Sequence, residues 1–424
     1  MKKYFTTGNV IITCCALLIA ARFGFLIKVY HLFGNWLGFV FTDTQSAFRL
    51  LDFSTADHFL SALLIVVIPA LVFIFRKSQV IAARINYTNL IIICIFFVFT
   101  LAPLITRVNP EFQKNISVTK LLPPFSKVKM LRLKESTEKQ YSNIFQAEKN
   151  TVVARSFDDN LLFVDSIKEF NDKVFFYQSG AENSLEKSRL VLNDKKSIIS
   201  KRLFILGSDE FGRDIFSRMI YGARVSLSVG FGAVVIAFFI GSLLGFFAGY
   251  SGKWIDILLN RIAEMFLTVP SIFFVILILA LFGNNIFSVV FVLGFSGWMS
   301  LFKLVRSEIF LIKKKDFFIS AGLLGLKKSN LFFKEILPVI IVPVVVNLIF
   351  QFGNVVLAES ALSFLGLGVG NSFPSWGSMI DSGKNYITTA WWLILFPGLA
   401  LFTIIFAVNS VGKKISSSIT QIKY

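Results

Sequence analysis

The sequence predicts an all-α, polytopic membrane protein, and three observations carry that prediction. Hydrophobic residues make up 55% of its 424 positions and charged residues 16%, with a mean hydropathy of +0.71; soluble domains carry about 25% charged residues. Fifty phenylalanines add apolar surface that a soluble core would not enclose and a bilayer can. Mostly apolar stretches also recur near the length, about 20 residues, that a helix needs to cross the hydrocarbon core. They run near 9–30, 59–75, 88–106, 225–249, 263–282, 286–304, 339–362 and 390–411, which makes about eight transmembrane helices.

The N-terminus, Met1-Lys2-Lys3 followed by Val10 to Ala21, has the charge pattern of a signal peptide. Arg22 follows without a small-residue cleavage site, so a retained first helix is expected. Lys28 can snorkel to an interface. Arg22 lies deeper, which predicts a tilted or interfacial first span. Orientation follows from the lysine and arginine count in short loops. With the N-terminus inside, the inner loops and termini collect Lys2, Lys3, Arg76, Lys77, Arg84, Lys253, Arg261, the cluster from Lys303 to Lys334, Lys413, Lys414 and Lys423, whereas the short outer loops hold only Arg49 and Lys384. Both termini are therefore expected in the cytoplasm. The net charge of +18 is explained by this topology, not by nucleic acid, which would need basic residues gathered on a soluble domain.

Residues 107–205 form a long polar segment with mixed charges on the outer side. Val152–Ala154, Leu161–Val164 and Val174–Tyr177 read as strands. Aromatic and β-branched content favours a small folded domain with some sheet over a disordered linker. Next, Ile215, Phe216, Met219 and Ile220 fall on one helical face and Arg213, Asp214 and Arg218 on another, with Asp214 and Arg218 spaced to pair. This predicts an amphipathic helix on the outer membrane surface before a span.

No catalytic or metal site emerges. Gly322 to Ser329 has the wrong spacing for a phosphate-binding loop, and there is no His-Glu-x-x-His or Gly-x-Ser-x-Gly. His31 and His58 are isolated, and Cys14, Cys15 and Cys94 lie in apolar stretches. The inner loop 303–338 is basic and amphipathic, with Phe317, Phe318, Ala321, Leu324 and Gly325 at helical spacing and Pro338 breaking the pattern at the next span. Its small residues Ser320, Ala321, Gly322 and Gly325 would let a partner approach closely. The alternative is a plain loop whose lysines obey the positive-inside rule.

Residues from about 204 to 415 resemble the second permease of ABC importers for dipeptides and oligopeptides. Three stretches carry the likeness: Leu206-Gly-Ser-Asp-Glu-Phe-Gly-Arg-Asp214 through Tyr221-Gly-Ala-Arg-Val-Ser-Leu227; Phe317-Phe-Ile-Ser-Ala-Gly-Leu-Leu-Gly325 through Ile336-Leu-Pro338; and Ala358-Glu-Ser-Ala-Leu-Ser-Phe-Leu-Gly-Leu-Gly-Val369 with Pro374-Ser-Trp-Gly-Ser-Met379. Within the first, Gly207, Asp209, Gly212, Arg213, Asp214, Gly222 and Arg224 form the outer family motif. The second is similar to the cytoplasmic coupling loop of such permeases. There Ala321, Gly325, Leu337 and Pro338 match, Ile319 and Ser320 stand where the general motif has glutamate and alanine, and Gly322 replaces an arginine common in this branch.

The resemblance implies a type I ABC importer permease fold with an extracytoplasmic insert. Residues 1–86 are then an N-terminal extension with two extra helices, 87–106 the first permease helix, 107–205 the insert and 206–424 the permease domain. It also implies a multi-pass protein of the inner membrane. Its partners would be a second permease subunit in a heterodimer, two ATP-binding subunits, one docking on 313–338, and an extracytoplasmic peptide-binding protein touching 366–389 or the long loop. ATP and Mg would be bound by the ATPase subunits, with no cofactor on this chain. Asn347, Gln351 and Asn354 fall within about a 60° arc of one helix. They are expected either to line the path and hydrogen-bond a peptide backbone or to bind helices together. Glu359 belongs to the third stretch and is expected near the outer end, shaping the gate or pairing with an arginine such as Arg224. Pro270 and Pro343 are candidate kinks. Related permeases also serve nickel complexes or glutathione. The rival classes are an ion-driven secondary transporter, which should carry acidic groups at membrane depth, and a membrane enzyme or sensor working through 107–205.

Overall fold

The computed structural model describes residues 6–82, 85–134, 144–153, 160–170, 172–193, 196–197, 199–324, 330–369 and 374–422. The chain divides into two compact units: residues 1–223 with 383–396, and residues 224–382 with 397–424.

The first unit begins with helix α1 (Thr7–Thr42), whose N-cap hydroxyl on Thr6 accepts from the Asn9 amide at 3.3 Å. Asp43 caps α2 (Thr44–Leu50) through the Ser46 amide at 3.2 Å, and Asp52 caps α3 (Phe53–Ile74) through the Thr55 amide at 2.8 Å. Helix α4 (Tyr87–Ile105) packs with α1 and α3 around Leu26, Val29, Leu32, Ile65, Phe97 and Leu101. At 36 residues α1 is about 54 Å long, well beyond the expected 9–30. Arg22 has partners inside the unit: its Nη2 donates to the Thr106 carbonyl at 2.8 Å and its guanidinium lies 4.6 Å from the Phe25 ring centre. The helix bends there, at φ −122° and ψ 17°.

The extension of α1 meets the insert. Helix α5 (Ile144–Val152) places Phe145 and Val152 in the same apolar core as α1, α3 and α4. Glu148 accepts from Asn35 Nδ2 at 2.6 Å and stands 3.1 Å from His31 Nδ1, so His31 is not isolated. Lys149 Nζ lies 2.8 Å from Asp52 Oδ2 and donates to the Leu50 carbonyl at 2.7 Å. Burial raises the Asp52 pKa, but hydrogen bonds from Lys149 and Thr55 outweigh it and hold the carboxyl below its usual range. The strand expected at 152–154 is instead the end of α5 and a turn at Val153; Ala154 lies outside the described residues. Phe145, Val152 and Val153 are spaced for one helical face, and that face finds a helical core.

The rest of the insert is antiparallel sheet. One sheet has the order β2-β1-β8, with β1 (Ser126–Arg132), β2 (Leu161–Val164) and β8 (Ile199–Phe204); a second runs β3-β4-β5, with β3 (Ser166–Phe170), β4 (Lys173–Gln178) and β5 (Ala181–Glu186). Two-residue strands β6 (Leu192–Asn193) and β7 (Lys196–Ser197) pair separately. The strands expected at 161–164 and 174–177 are present as β2 and within β4.

Residues 207–218 form a clasp in this unit. Asp209 accepts from the amides of Phe211 and Arg213 at 2.9 and 2.8 Å and from Arg213 Nε at 2.7 Å. Glu111 then bridges Arg213 at 2.8 Å and Arg218 at 2.6 Å. The expected Asp214–Arg218 pair does not form, because Asp214 caps the next helix through the Ser217 amide at 2.8 Å. Trp392 donates its indole N–H to the Ser208 carbonyl at 3.2 Å. Gly207 and Gly212 have φ of +85° and +74°, and a Cβ on Gly212 would lie 2.0 Å from Thr119 Oγ1.

Helix α6 (Ile215–Ser251) is continuous, so 215–224 is the start of a long helix and not a separate surface helix. In the second unit, α7 (Lys253–Thr268) and α8 (Ser271–Phe282) meet at 84°. The single span expected at 263–282 is therefore broken. Pro270 has no N–H to continue the ladder, and it holds Val269 extended at φ −91° and ψ 123°. Helix α9 (Ile286–Lys313) continues past the expected 304 and carries basic residues assigned to a loop. Arg306 forks onto Asp256, with Nη2 to Oδ2 at 2.8 Å, and Lys313 Nζ donates to the Gly249 carbonyl at 3.3 Å, near the end of α6. Gly241, Gly245 and Gly249 let α6 approach α9: a Cβ on each would lie 2.7, 2.8 and 2.9 Å from α9 atoms. Then come α10 (Asp316–Leu323), α11 (Leu337–Phe364), α12 (Trp376–Gly383) and α13 (Trp392–Ile422). Among the described residues seven helices are long and apolar enough to cross a membrane, or eight if the bent pair is one span.

Three expectations follow. Phe145→Ala should cost roughly 3–5 kcal/mol of α5 docking, read as faster proteolytic cleavage within 144–153 in membranes; unchanged protection would refute the docking. Because the Asp52 carboxyl is held low, its contribution is complete above its unfolded value, near pH 4. Docking should therefore hold at neutral pH and weaken only as pH falls through the lower folded value. Gly212→Ala should reduce the amount of folded protein, since neither φ nor Thr119 leaves room, and normal accumulation would contradict the clasp.

Candidate functional site

A cavity of about 430 Å³ lies within the second unit, walled by α8, α9 and α11. Asn347, Gln351 and Asn354 stand on its α11 wall, with Ser271, Ser296, Gly297 and Ser300 opposite or beside them. The spacing i, i+4, i+7 puts the three amides on one face, and the fold turns that face inward. Gln351 is 9% exposed, and neither its Oε1 nor its Nε2 has a protein partner; Asn347 Oδ1 is likewise buried without one. Leaving such groups unpaired costs about 1–3 kcal/mol each. Side chains serving only to join helices would have found partners across the contact. Gln351 instead lies over Gly297, where a Cβ would come within 1.9 Å of Nε2.

The residues of the inner loop expected to dock a partner sit beside α11's N-terminal end. In α10, Phe317 and Ser320 are exposed and Ala321 is buried. Ile319, Leu323 and Leu324 add exposed apolar surface, while Phe318 packs with Val305, Ile309 and Ile340. Gly322 lies in the helix; Gly325 lies outside the described residues. Leu331–Ile336 forms a π-helical turn that runs directly into α11. Leu337 is half-buried there and Pro338 is exposed. Pro338 therefore does not break the pattern. It sits where the π-helical turn passes into α11, and the chain stays helical across it.

Glu359 does not join the cavity wall. It is fully buried, and its partners are serine hydroxyls; Arg224 is not among them. Of the outer motif, Gly207, Asp209, Gly212, Arg213 and Asp214 belong to the clasp described above, Gly222 is buried in α6 and Arg224 is half-buried. Sequence reasoning missed the cavity serines and the serines around Glu359. Hydroxyls inside otherwise apolar helices were the available signal.

The model of the family described as "Binding-protein-dependent transport system inner membrane component" matches residues 241–421. A dipeptide transport system permease protein of Alkalihalophilus pseudofirmus is 38% identical over 206 residues, which are 49% of this chain and 68% of that protein. An oligopeptide transport system permease protein of Haemophilus influenzae is 35% identical over 206 residues, 49% of this chain and 66% of that protein. Among solved structures, an amino acid ABC transporter with histidines aligns at a TM-score of 0.40 and 18% identity, covering 48% of this chain and 94% of its own. The MetNI methionine ABC transporter aligns at 0.39 and 14%, covering 47% of this chain and 97% of that one. The chain thus belongs to the binding-protein-dependent transport system inner membrane components, on the branch of dipeptide and oligopeptide permeases, and is a multi-pass transport permease and not an enzyme.

Proposed function

We propose that this chain forms one half of the translocation pathway of an ATP-driven importer of di- or oligopeptides. A second permease subunit completes the cavity, two ATP-binding subunits hold ATP and Mg, and an extracytoplasmic peptide-binding protein delivers the substrate. The permease lies in the cytoplasmic membrane with both termini inside. The observation that carries this reading is the amide face of α11 on the cavity wall, where Gln351 Oε1 and Nε2 and Asn347 Oδ1 are buried without a protein partner and Asn354 stands exposed beside them. A primary amide both donates and accepts, as a peptide backbone does. The row therefore suits a substrate whose side chains vary while its backbone does not.

Coupling enters at the other end of the same helix. The exposed apolar face of α10 is the surface offered to an ATP-binding subunit, and the π-helical turn joins the loop to α11 without a flexible linker among residues 330–337. Movement of a docked subunit would then reach the amide row through one rigid element.

Three variants test the reading, each measured as labelled-peptide uptake together with protein level in the membrane. Gln351→Leu should lower uptake roughly tenfold while leaving the protein as stable or more so, since two unpaired polar atoms are removed. A destabilised protein would mean that Gln351 joins helices instead. Gly297→Ala should reduce uptake by displacing the Gln351 amide. Gly325→Arg should abolish uptake with the protein still in the membrane, and normal uptake by that variant would remove the docking assignment.

A further inference from the structure

Three segments of the second unit meet at the Glu359 carboxylate, near the C-terminal end of α11. Ser363 Oγ donates to Oε1 at 2.8 Å, one turn along α11. Ser226 Oγ of α6 donates to Oε2 at 3.0 Å. Ser360 Oγ lies 3.4 Å from Oε2, although its shorter bond, 3.0 Å, goes to the Val356 carbonyl. The third segment, 374–382, is tied to these hydroxyls in turn. The Trp376 amide donates to Ser226 Oγ at 3.3 Å, and Ser375 Oγ donates to Ser363 Oγ at 3.4 Å. Ser375 and Ser378 bond each other through amide and hydroxyl at 3.0 and 3.1 Å, which stiffens the start of α12. Gly377 allows the approach: a Cβ there would lie 2.6 Å from the Ser360 carbonyl.

The arrangement is closely packed. Glu359, Ser226 and Ser375 are fully buried, and Trp376 and Met379 are 5% and 4% exposed. A carboxylate is costly at membrane depth, and here it is not spent on lining a path. What it does is orient hydroxyls. Each hydroxyl has one proton; two of them, on Ser226 and Ser363, point theirs at Glu359, which leaves their oxygen lone pairs free to accept from Trp376 and Ser375. Without the carboxylate, nothing fixes those hydroxyls in the orientation that receives the segment.

We propose that Glu359 is a positioning residue that fastens segment 374–382 to α11 and α6, so that the segment moves with α11 and not independently of it. The consequence for transport rests on the importer reading: a shift of α11 would carry this segment along. The fastening itself does not depend on that reading, and the test keeps them apart.

The test uses the full chain in membranes, with Cys14, Cys15 and Cys94 replaced by alanine and Met379→Cys as reporter. Reaction with N-ethylmaleimide, which crosses membranes, reads how often the segment lifts. Labelling should be slow in this parent. Glu359→Gln should stay near the parent rate, because the amide still accepts from Ser363 and can donate to Ser226. Glu359→Ala should speed labelling roughly tenfold or more. If Glu359→Ala does not accumulate, the Ser226→Ala, Ser363→Ala double variant answers the same question, with the same increase expected. Gly377→Ala should also speed labelling, by forcing the segment away from Ser360 with the carboxylate intact. Labelling as slow as the parent in the alanine variant that accumulates would overturn the proposal. Peptide uptake by the parent chain, measured separately, bears on the importer reading alone.

Discussion

A polar group inside a bilayer has no water to bond, so each one must be satisfied within the protein or serve something that enters it. That constraint organises this molecule. Arg22 sits far along α1, and its cost is met by the Thr106 carbonyl and the face of Phe25. Ser61 donates to the Thr100 carbonyl at 2.9 Å, bonding α3 to α4. Arg306 and Asp256 meet as a fork between α7 and α9. Glu359 gathers hydroxyls. Ser242 Oγ and Trp298 Nε1 are also buried without a hydrogen-bond partner, but only the unpaired atoms of Asn347 and Gln351 lie together on the wall of the cavity described above. The same rule that makes the other contacts structural makes this row a candidate for substrate.

The two features that the family resemblance leaves unexplained turn out to be one structure. The extra helices α1 and α3 and the insert helix α5 share a core with α4, and the polar contacts from Asn35, His31 and Asp52 to α5 seal its edge. A small sheet domain beside a membrane would otherwise hang from its two ends. Helix α5 gives it a third attachment, and the long α1 supplies the surface for it. The length of α1 past the hydrocarbon core therefore follows from the presence of the insert.

Most of the membrane fold was legible in the sequence because spans are encoded locally, in runs of apolar residues that need no partner to be recognised. The exposed apolar face of α10 and the shared face of Asn347, Gln351 and Asn354 were legible for the same reason: helical spacing fixes which residues share a face. What was not legible depends on contacts distant in sequence. The bend at Pro270 looks like one apolar run, since hydropathy does not register a missing N–H. Asp214 and Arg218 have ideal spacing for a pair, yet Glu111, some hundred residues earlier, offers Arg218 a carboxylate and leaves Asp214 to cap α6. Arg22 breaks the apolar pattern of α1, and nothing local shows that the Thr106 carbonyl will receive it.

Helix α11 is where these threads meet. Its 28 residues span about 42 Å. The π-helical turn and α10 lie at its beginning, the amide row in its middle and Glu359 near its end. Pro343 lies inside the helix, but no non-helical residue interrupts it, so the element can pass a displacement from end to end. On the proposed importer reading, a loop pushed at one end, an amide row that changes its exposure and a segment fastened at the other end would be three readings of one movement. The physical requirement is that the fastening at Glu359 be stronger than the force that would separate α11 from segment 374–382. A buried carboxylate meets that requirement better than apolar packing, because once its hydroxyl partners leave it must be left unpaired in a low-dielectric setting. The cost of burying Glu359 is thus what makes the attachment hold.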